Sequence, residues 1–289
     1  MKAPKFAYAR VATVPEALQL LEKYGNGAQV LAGGQSLMPT LNMRLSQPEI
    51  LVDINRLDGL RGISLDGARV RIGALTRHVD VLNSPVVAEH LPLIAEAMPH
   101  VAHVAVRNRG TFGGSVALSD PAAEMPACVL ALGAMLVVES TNGRREIAAE
   151  DYFLQLYETA RAPNELLAEI LIPVQKPSRV SVFMELAQRQ GDFAIAGLAC
   201  VADIDGTTVK DIRLVYFASE DKPTLATGAM EALSGREWSD NARNAAFDAL
   251  AGDLNPMENL HGGRDTKLHL QRVLTGRALD LAVERAGGA

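Results

Sequence analysis

Two glycine pairs stand out as residues that could do chemistry. Gly33-Gly34 runs through Gln35 into Ser36, and Gly113-Gly114 runs directly into Ser115. Peptide N–H groups beside such glycines have no side chain in the way and can point at a phosphate oxygen, a concave arrangement that favours anions. Two of them in one half of the chain suit a pyrophosphate. The spacing is neither Gly-x-Gly-x-x-Gly nor Gly-x-x-x-x-Gly-Lys-Ser/Thr, so the usual fingerprints of nicotinamide and nucleoside triphosphate sites are missing. If Gly114 approaches a pyrophosphate, Gly114→Val blocks that approach while the domain still folds.

The remaining reactive side chains read more plainly. His100 and His103 are three apart with no acidic or cysteine ligand in the same segment, which favours a surface or loop role over metal binding. Arg107 and Arg109 could neutralise phosphate or equally form salt bridges that hold their loop. Asp120 before Pro121 reads as a helix cap, Trp238 and the pair Met38 and Met43 as packing, and Cys128 and Cys200 as buried free thiols inside apolar runs. No Ser–His–Asp or Cys–His set can be assembled from this order of residues.

The elements that must position the glycine segments follow from periodicity. Val14 to Tyr24 places Ala17, Leu18, Leu20 and Leu21 near one helical face, with Pro15 early and Gly25 just beyond. Ala28 to Ala32 is a short strand leading into the first glycine turn and then a short helix. Ile50 to Ile54 and Arg69 to Gly73 are strands, and Thr76 to Leu82 and Pro92 to Ala97 are helical. Val104 to Ala117 reads as a shaped loop, followed by a helix over Ala122 to Leu132. Met135 to Ser140 turns through Thr141 to Arg144 and pairs with Glu146 to Ala148. Pro173 and Pro177 mark a boundary, giving domains 1–177 and 178–289. The second contains strands Val180 to Ala187, Ala194 to Ile204 and Val209 to Ala218, then helices Thr224 to Leu233, Asn241 to Leu250 and Thr266 to Val283.

Composition narrows the function classes. The 289 residues suit about two domains, and 48% hydrophobic with 21% charged residues is ordinary for a globular protein. A net charge of −6 gives no electrostatic reason to bind nucleic acid or an anionic membrane. No apolar run is long enough to cross a bilayer and no secretory leader is apparent, so a cytoplasmic location is the expectation. Two cysteines cannot supply the four thiolates that iron–sulfur clusters generally need.

Taken together, longer motifs around the glycine pairs carry a resemblance. Leu31 to Pro39, with Arg44-Leu45, Pro48 and Leu51 to Ile54, resembles the first FAD-binding segment of the flavoprotein subunit of molybdenum hydroxylases. Arg107 to Ser115, then Ser119 to Glu124 and Pro126, resembles the second, and Arg189 to Ala194 is similar to the motif opening the family's C-terminal domain. The chain is identified as similar over almost its whole length to the medium, FAD-binding subunit of the xanthine dehydrogenase and aerobic carbon monoxide dehydrogenase superfamily.

The resemblance implies an α+β protein: a two-subdomain FAD-binding domain of the p-cresol methylhydroxylase type, followed by three antiparallel strands with a helical bundle. By matched position the backbone of Ala32, Gly33, Gly34, Gln35 and Ser36, leading into Leu37, cradles the FAD pyrophosphate and neighbouring groups with that of Gly110, Thr111, Phe112, Gly113, Gly114 and Ser115. Leu31, Val101, Glu124 and Leu167 fall where relatives make further FAD contacts, Glu124 to a ribose hydroxyl, and Phe193 falls near the isoalloxazine. Glu185 stands where xanthine dehydrogenases carry a flavin-contacting lysine, so that role is not transferred. Neither glycine segment contains histidine, so the FAD is expected to be non-covalent.

The implied function is electron transfer in a heterotrimeric oxidoreductase, from [2Fe-2S] clusters of a small subunit through FAD to an external acceptor. A large molybdopterin subunit oxidises the substrate, and the whole is expected as a dimer of heterotrimers. A self-contained FAD-dependent reductase or oxidase of the same fold is the alternative, and a scaffold that has lost the flavin is a third reading.

Overall fold

Ile50, Leu51 and Val52, with Asp53, form a short strand buried at every residue, and it lies at the middle of a small three-stranded parallel sheet. The computed structural model describes residues 2–287, so the expected domain ends at 1 and 289 lie outside it. The sheet has Ile50–Asp53 at its centre, flanked by Ala7–Arg10 and Ala28–Leu31. Its register pairs Arg10 and Leu31 with Asp53, so all three strands end on one edge. The helix Val14–Tyr24 covers one face with Ala17, Leu18 and Leu21. Thr13 caps it by accepting from Glu16 N at 3.3 Å, while the Glu16 carboxylate takes Ala12 N at 2.8 Å.

A five-stranded antiparallel sheet follows, ordered Ile63–Asp66, Arg69–Gly73, Leu166–Pro173, Met135–Ser140 and Gly143–Ala148. Its central strand, Leu166–Pro173, is buried at every residue except Pro173. That strand and the edge strand Ala7–Arg10 are absent from the sequence reading. Leu166-Leu167-Ala168-Glu169-Ile170-Leu171-Ile172 does not alternate, because both faces of the strand are covered. The carboxylate of Glu169, within this apolar strand, is engaged by Arg71 from the neighbouring strand and by Arg144 from the edge strand Gly143–Ala148, one strand beyond the other neighbour.

The stretch Val104 to Ala117, expected as a loop, contains two short helices, Val104–Arg107 and Phe112–Leu118. Helix is possible there because Thr111 is extended and caps the second one, its hydroxyl accepting from Gly114 N at 3.1 Å. Asp120 does not cap the next helix, which starts at Glu124 rather than Ala122. Instead its carboxylate closes a turn on Ala122 N at 3.0 Å.

The later part of the chain holds three long antiparallel strands, Arg179–Ala187, Ala194–Asp205 and Thr208–Phe217. Two short strands, Thr224–Leu225 and Arg236–Glu237, pair with the last of them, so the sheet is larger than the three strands expected and the helix expected from Thr224 begins at Thr227. Ala199 and Val201 face the core shared with the first half, while Leu198, Cys200 and Ala202 face the helices Thr227–Leu233, Asp240–Asp253 and Arg264–Gly287. The middle strand is thus buried on both faces. Gly206 takes φ 60° in the turn that joins it to the next strand.

Polar contacts stitch the two halves together. Arg285 makes a two-pronged pair with Glu96, both contacts at 2.9 Å, and donates to Ser181 O. Both partners are partly solvated, so Arg285→Ala is expected to lower thermal stability by about 1 kcal/mol, read as a drop in melting temperature. No helix among the described residues is long and apolar enough to cross a membrane.

Candidate functional site

The strand ends gathered at one edge of the parallel sheet open onto a cleft of about 510 Å³. Leu31, Ala32, Gly33, Gly34 and Gln35 line it, with Met38, Asp53, Asn55 and the guanidinium groups of Arg10, Arg77 and Arg109. The two glycine segments meet here. Gly33 lies so close to the second segment that an added Cβ would stand 2.5 Å from Arg109 O and 2.8 Å from Gly110 Cα. Gly34 takes φ +72°, a conformation glycine adopts freely.

The backbone donors of the two segments differ. Among the described residues, the N–H groups of Gly33, Gly34, Gln35 and Ser36 have no acceptor. In the second segment Phe112 N donates to Thr76 O at 2.9 Å, Gly113 N to Ala74 O at 3.0 Å and Gly114 N to Thr111 Oγ1. The first segment thus carries an open run of donors and the second a run already engaged within the chain. The second pair has a packing reason: Gly113 abuts Ala74, and a Cβ on Gly114 would stand 2.5 Å from the capping Thr111 Oγ1. Gly114→Val consequently disturbs a helix cap as well as any ligand.

The structure also separates the two arginines that the sequence leaves equivalent. Arg107 donates to Val101 O at 2.8 Å and Ala102 O at 2.7 Å, fixing a bend in which Ala102 has φ 45°. Arg109 lines the cleft and has no ion-pair partner among the described residues. Met38 and Met43, expected in the core, are exposed instead, with Met38 on the rim of the cleft.

Asp53, which falls within the first motif, is joined here by Tyr8, Arg10, Asn55 and Arg77, which the sequence analysis does not single out. Asp53 accepts from Tyr8 OH, from Arg10 Nε at 3.1 Å and from Asn55 N at 2.9 Å. Burial alone would raise its pKa, but these hydrogen bonds outweigh burial and hold the carboxyl down at about 2. Asn55 reaches Ala32 O at 2.7 Å and accepts from Arg77 at 2.8 Å, and Arg77 also donates to Arg109 O. The Asp53-x-Asn55 spacing just past a strand is an Asx-turn signal that could have found Asn55; nothing local in the sequence marks Arg77.

Of the expected site residues, Ser36, Leu37, the whole of Gly110 to Ser115, Val101, Glu124, Leu167 and Phe193 lie outside the lining of this cleft. Val101 and Leu167 are buried in the main core, and Phe193 is exposed. Gly191, two residues before Phe193, takes φ +85° and packs on Ala102 and His103, which brings the Arg189–Ala194 motif beside Val101. Glu124 is buried beside Glu185 and His100. Burial, with the nearby Glu185 charge adding to it, pushes the Glu124 carboxyl up to about 7. His100 Nδ1 lies 3.1 Å from Glu185 Oε1, and this hydrogen bond raises the imidazole pKa. Glu185 Oε2 is buried with no partner among the described residues. No group of three potential metal ligands occurs among the described residues, and both cysteines are buried free thiols.

The cleft fits the diphosphate of a dinucleotide. Gly33, Gly34 and Gln35, whose N–H groups have no acceptor among the described residues, line a space large enough for such a group together with Arg10, Arg77 and Arg109, and the carboxylate in its wall is fully occupied by its own partners.

Comparison with known proteins agrees with this chemistry. Residues 4–175 match the family described as FAD binding domain in molybdopterin dehydrogenase, and residues 181–282 match the CO dehydrogenase flavoprotein C-terminal domain. The carbon monoxide dehydrogenase medium chain of Hydrogenophaga pseudoflava is 39% identical over 285 residues, covering 99% of each chain. The nicotine 6-hydroxylase medium subunit of Paenarthrobacter nicotinovorans is 36% identical over 279 residues, covering 96% of this chain and 98% of its own. Among solved structures, a chain of H. pseudoflava carbon monoxide dehydrogenase superposes with a TM-score of 0.95 at 40% identity, covering 99% of each chain. A chain of quinoline 2-oxidoreductase from Pseudomonas putida 86 superposes with 0.92 at 34% identity, again covering 99% of each. With an open donor run at the end of a parallel sheet and two family matches spanning nearly its whole length, the chain belongs to the FAD-binding flavoprotein family of the molybdopterin dehydrogenases.

Proposed function

We propose that this chain is the FAD-binding medium subunit of a molybdenum hydroxylase. The observation that carries the reading is the run of unpaired N–H groups from Gly33 to Ser36, facing a cleft with three arginines in a chain of this family. When bound, FAD supplies the redox chemistry, accepting electrons from [2Fe-2S] clusters of a partner subunit and passing them to an external acceptor. The protein's own part is to bind and orient. The Gly33–Ser36 backbone and Arg109 hold the pyrophosphate, the Gly110–Ser115 segment packs behind Gly33 and completes the cradle, and Val101, Glu124, Leu167 and Phe193 extend the site toward the ribose and ring portions. Glu124, partly protonated near neutral pH, can share a hydrogen bond with a hydroxyl in either protonation state.

The same reading divides the chain into an FAD-binding domain of the p-cresol methylhydroxylase type, 1–177, and a C-terminal domain, 178–289. The partners are a large molybdopterin subunit and a small [2Fe-2S] subunit, assembled as a dimer of heterotrimers in the cytoplasm. Two buried cysteines leave this chain without the thiolates for a cluster of its own, which supports that division of labour.

An absorption spectrum of the purified chain tests the reading, with the released chromophore identified by mass and partners pulled down from native extract. Non-covalent FAD with partners carrying molybdenum and [2Fe-2S] clusters is the expected result. FAD without such partners favours a self-contained flavoenzyme, and no flavin even after FAD is added back overturns the assignment.

A further inference from the structure

The first glycine segment is sorted by polarity. While the N–H groups of Gly33 to Ser36 have no acceptor among the described residues, the carbonyls of Leu31, Ala32, Gly33, Gly34 and Ser36 are held by donors; Gln35 O is the exception, because Pro39 four residues on has no N–H to offer it. Asn55 Nδ2 lies 2.7 Å from Ala32 O and 3.3 Å from Leu31 O. Gln35 Nε2 donates to Gly33 O at 3.1 Å, and Arg77 donates to Arg109 O, the carbonyl against which Gly33 packs. Gly34 O and Ser36 O accept from Met38 N and Thr40 N, both at 3.1 Å.

A peptide unit attracts an anion at its N–H end and repels it at its carbonyl end, so a phosphate site needs the carbonyls turned away as much as it needs the donors. We propose that Asn55, Gln35 and Arg77 are positioning residues that hold the rim carbonyls out of the cleft and leave a wall of donors for the diphosphate. This rests on the FAD reading of the cleft. Asn55 is the centre of the arrangement. Its Oδ1 faces Arg77 at 2.8 Å, and its N and Nδ2 both meet Asp53 Oδ1, at 2.9 and 2.8 Å. With Arg77 able only to donate and Asp53 only to accept, the amide can sit in one orientation, nitrogen toward the carbonyls. Asp53 is in turn fixed by Tyr8 and Arg10.

Asn55→Asp keeps the shape and removes the donor. In the full chain at pH 8 it is expected to bind both FAD and inorganic pyrophosphate about tenfold to a hundredfold more weakly than wild type, the range of a lost hydrogen bond with an added repulsion. Relative to wild type, affinity recovers as pH falls, because a protonated carboxyl can again donate to Ala32 O. Arg77→Lys, which keeps the charge but cannot reach Asn55 Oδ1 and Arg109 O together, is expected to weaken both ligands about tenfold. Gln35→Met, on an accessible turn, weakens both by a few-fold and covers the case in which Asn55→Asp fails to fold.

Wild-type affinity in Arg77→Lys and Gln35→Met, or a loss in a folded Asn55→Asp protein that is the same at every pH, overturns the proposal. If wild type binds pyrophosphate but not FAD, the FAD reading falls and the donor wall stands. If wild type binds FAD and the variants bind it equally well, the reverse holds. Binding of neither ligand by wild type overturns both.

Discussion

Gly33→Ala is expected to emerge from purification without flavin, and its Kd for added FAD to be raised at least about a hundredfold, the scale of effect that an ångström-level displacement of a binding constellation produces. The added Cβ would stand 2.5 Å from Arg109 O and 2.8 Å from Gly110 Cα. Both are backbone atoms, so no rotamer change relieves the overlap, and the two segments have to part. Parting them pulls Arg109 O away from the Arg77 guanidinium and moves the Gly33–Ser36 donors together. Gly59→Ala is the matched control, because an added Cβ there meets nothing within 4 Å. Fluorescence titration with FAD and thermal melting of the ligand-free proteins separate the outcomes. If Gly33→Ala retains wild-type affinity, the contact between the segments does not build the site. If it melts far below wild type and Gly59→Ala does not, the close approach serves the fold first. Gly114→Val is less informative because its Cβ would stand 2.5 Å from the Thr111 hydroxyl that caps the adjoining helix.

The legible parts of this molecule are those whose signal is local. The helix Val14–Tyr24 announced itself through Pro15, Gly25 and its apolar spacing, and the strand Met135–Ser140 through the turn that follows it. Leu166–Pro173 carries no such signal, because a central strand covered on both faces loses the alternation by which strands are recognised. Val104 to Ala117 reads as a loop because glycine and small residues weigh against helix, whereas in the folded chain the Thr111 cap and the fit of Gly113 against Ala74 outweigh propensity. The same limit applies at the site. The two glycine pairs looked alike in sequence, and only the tertiary acceptors Thr76 O and Ala74 O distinguish the pair with engaged donors from the pair with free ones. Arg77, separated from Gly33 by more than forty positions, has no local mark at all. Its role comes from the isolated bridge to Thr111 and from Asn55 two residues past a strand end.

The second large effect is on pH dependence. The Glu124 carboxyl titrates at about 7 in the folded chain, against an ordinary value of 4.5, because burial disfavours its charged form. Between those two values the folded protein holds a proton that the unfolded chain has released, so stability falls as pH rises through this window. The full shift corresponds to a loss on the order of 3 kcal/mol, complete above pH 7 and absent below pH 4.5. The charged or titratable groups facing Glu124 are Glu185 on the strand Arg179–Ala187, His100 after the helix Pro92–Ala97, and Asp120 in the turn before its own helix. His100 adds in the same direction. Its hydrogen bond to Glu185 raises its pKa, so its contribution is present below about 6.5 and is lost as pH rises through the raised value. Asp53, held at about 2, titrates well below the window and does not contribute to it. Glu124→Gln keeps the shape and removes the proton. In the ligand-free chain it is expected to match wild type in denaturant melts at pH 4.5 and to exceed it by about 2–3 kcal/mol at pH 8. Equal stability at both pH values would mean that Glu124 is solvated and that its burial does not govern its protonation. Repeating the series with FAD bound adds a second reading. If a ribose or ribityl hydroxyl donates to this carboxylate, it supplies the partner that burial denies, and the wild-type slope between pH 4.5 and 7 flattens in the FAD-loaded chain but not in the ligand-free one.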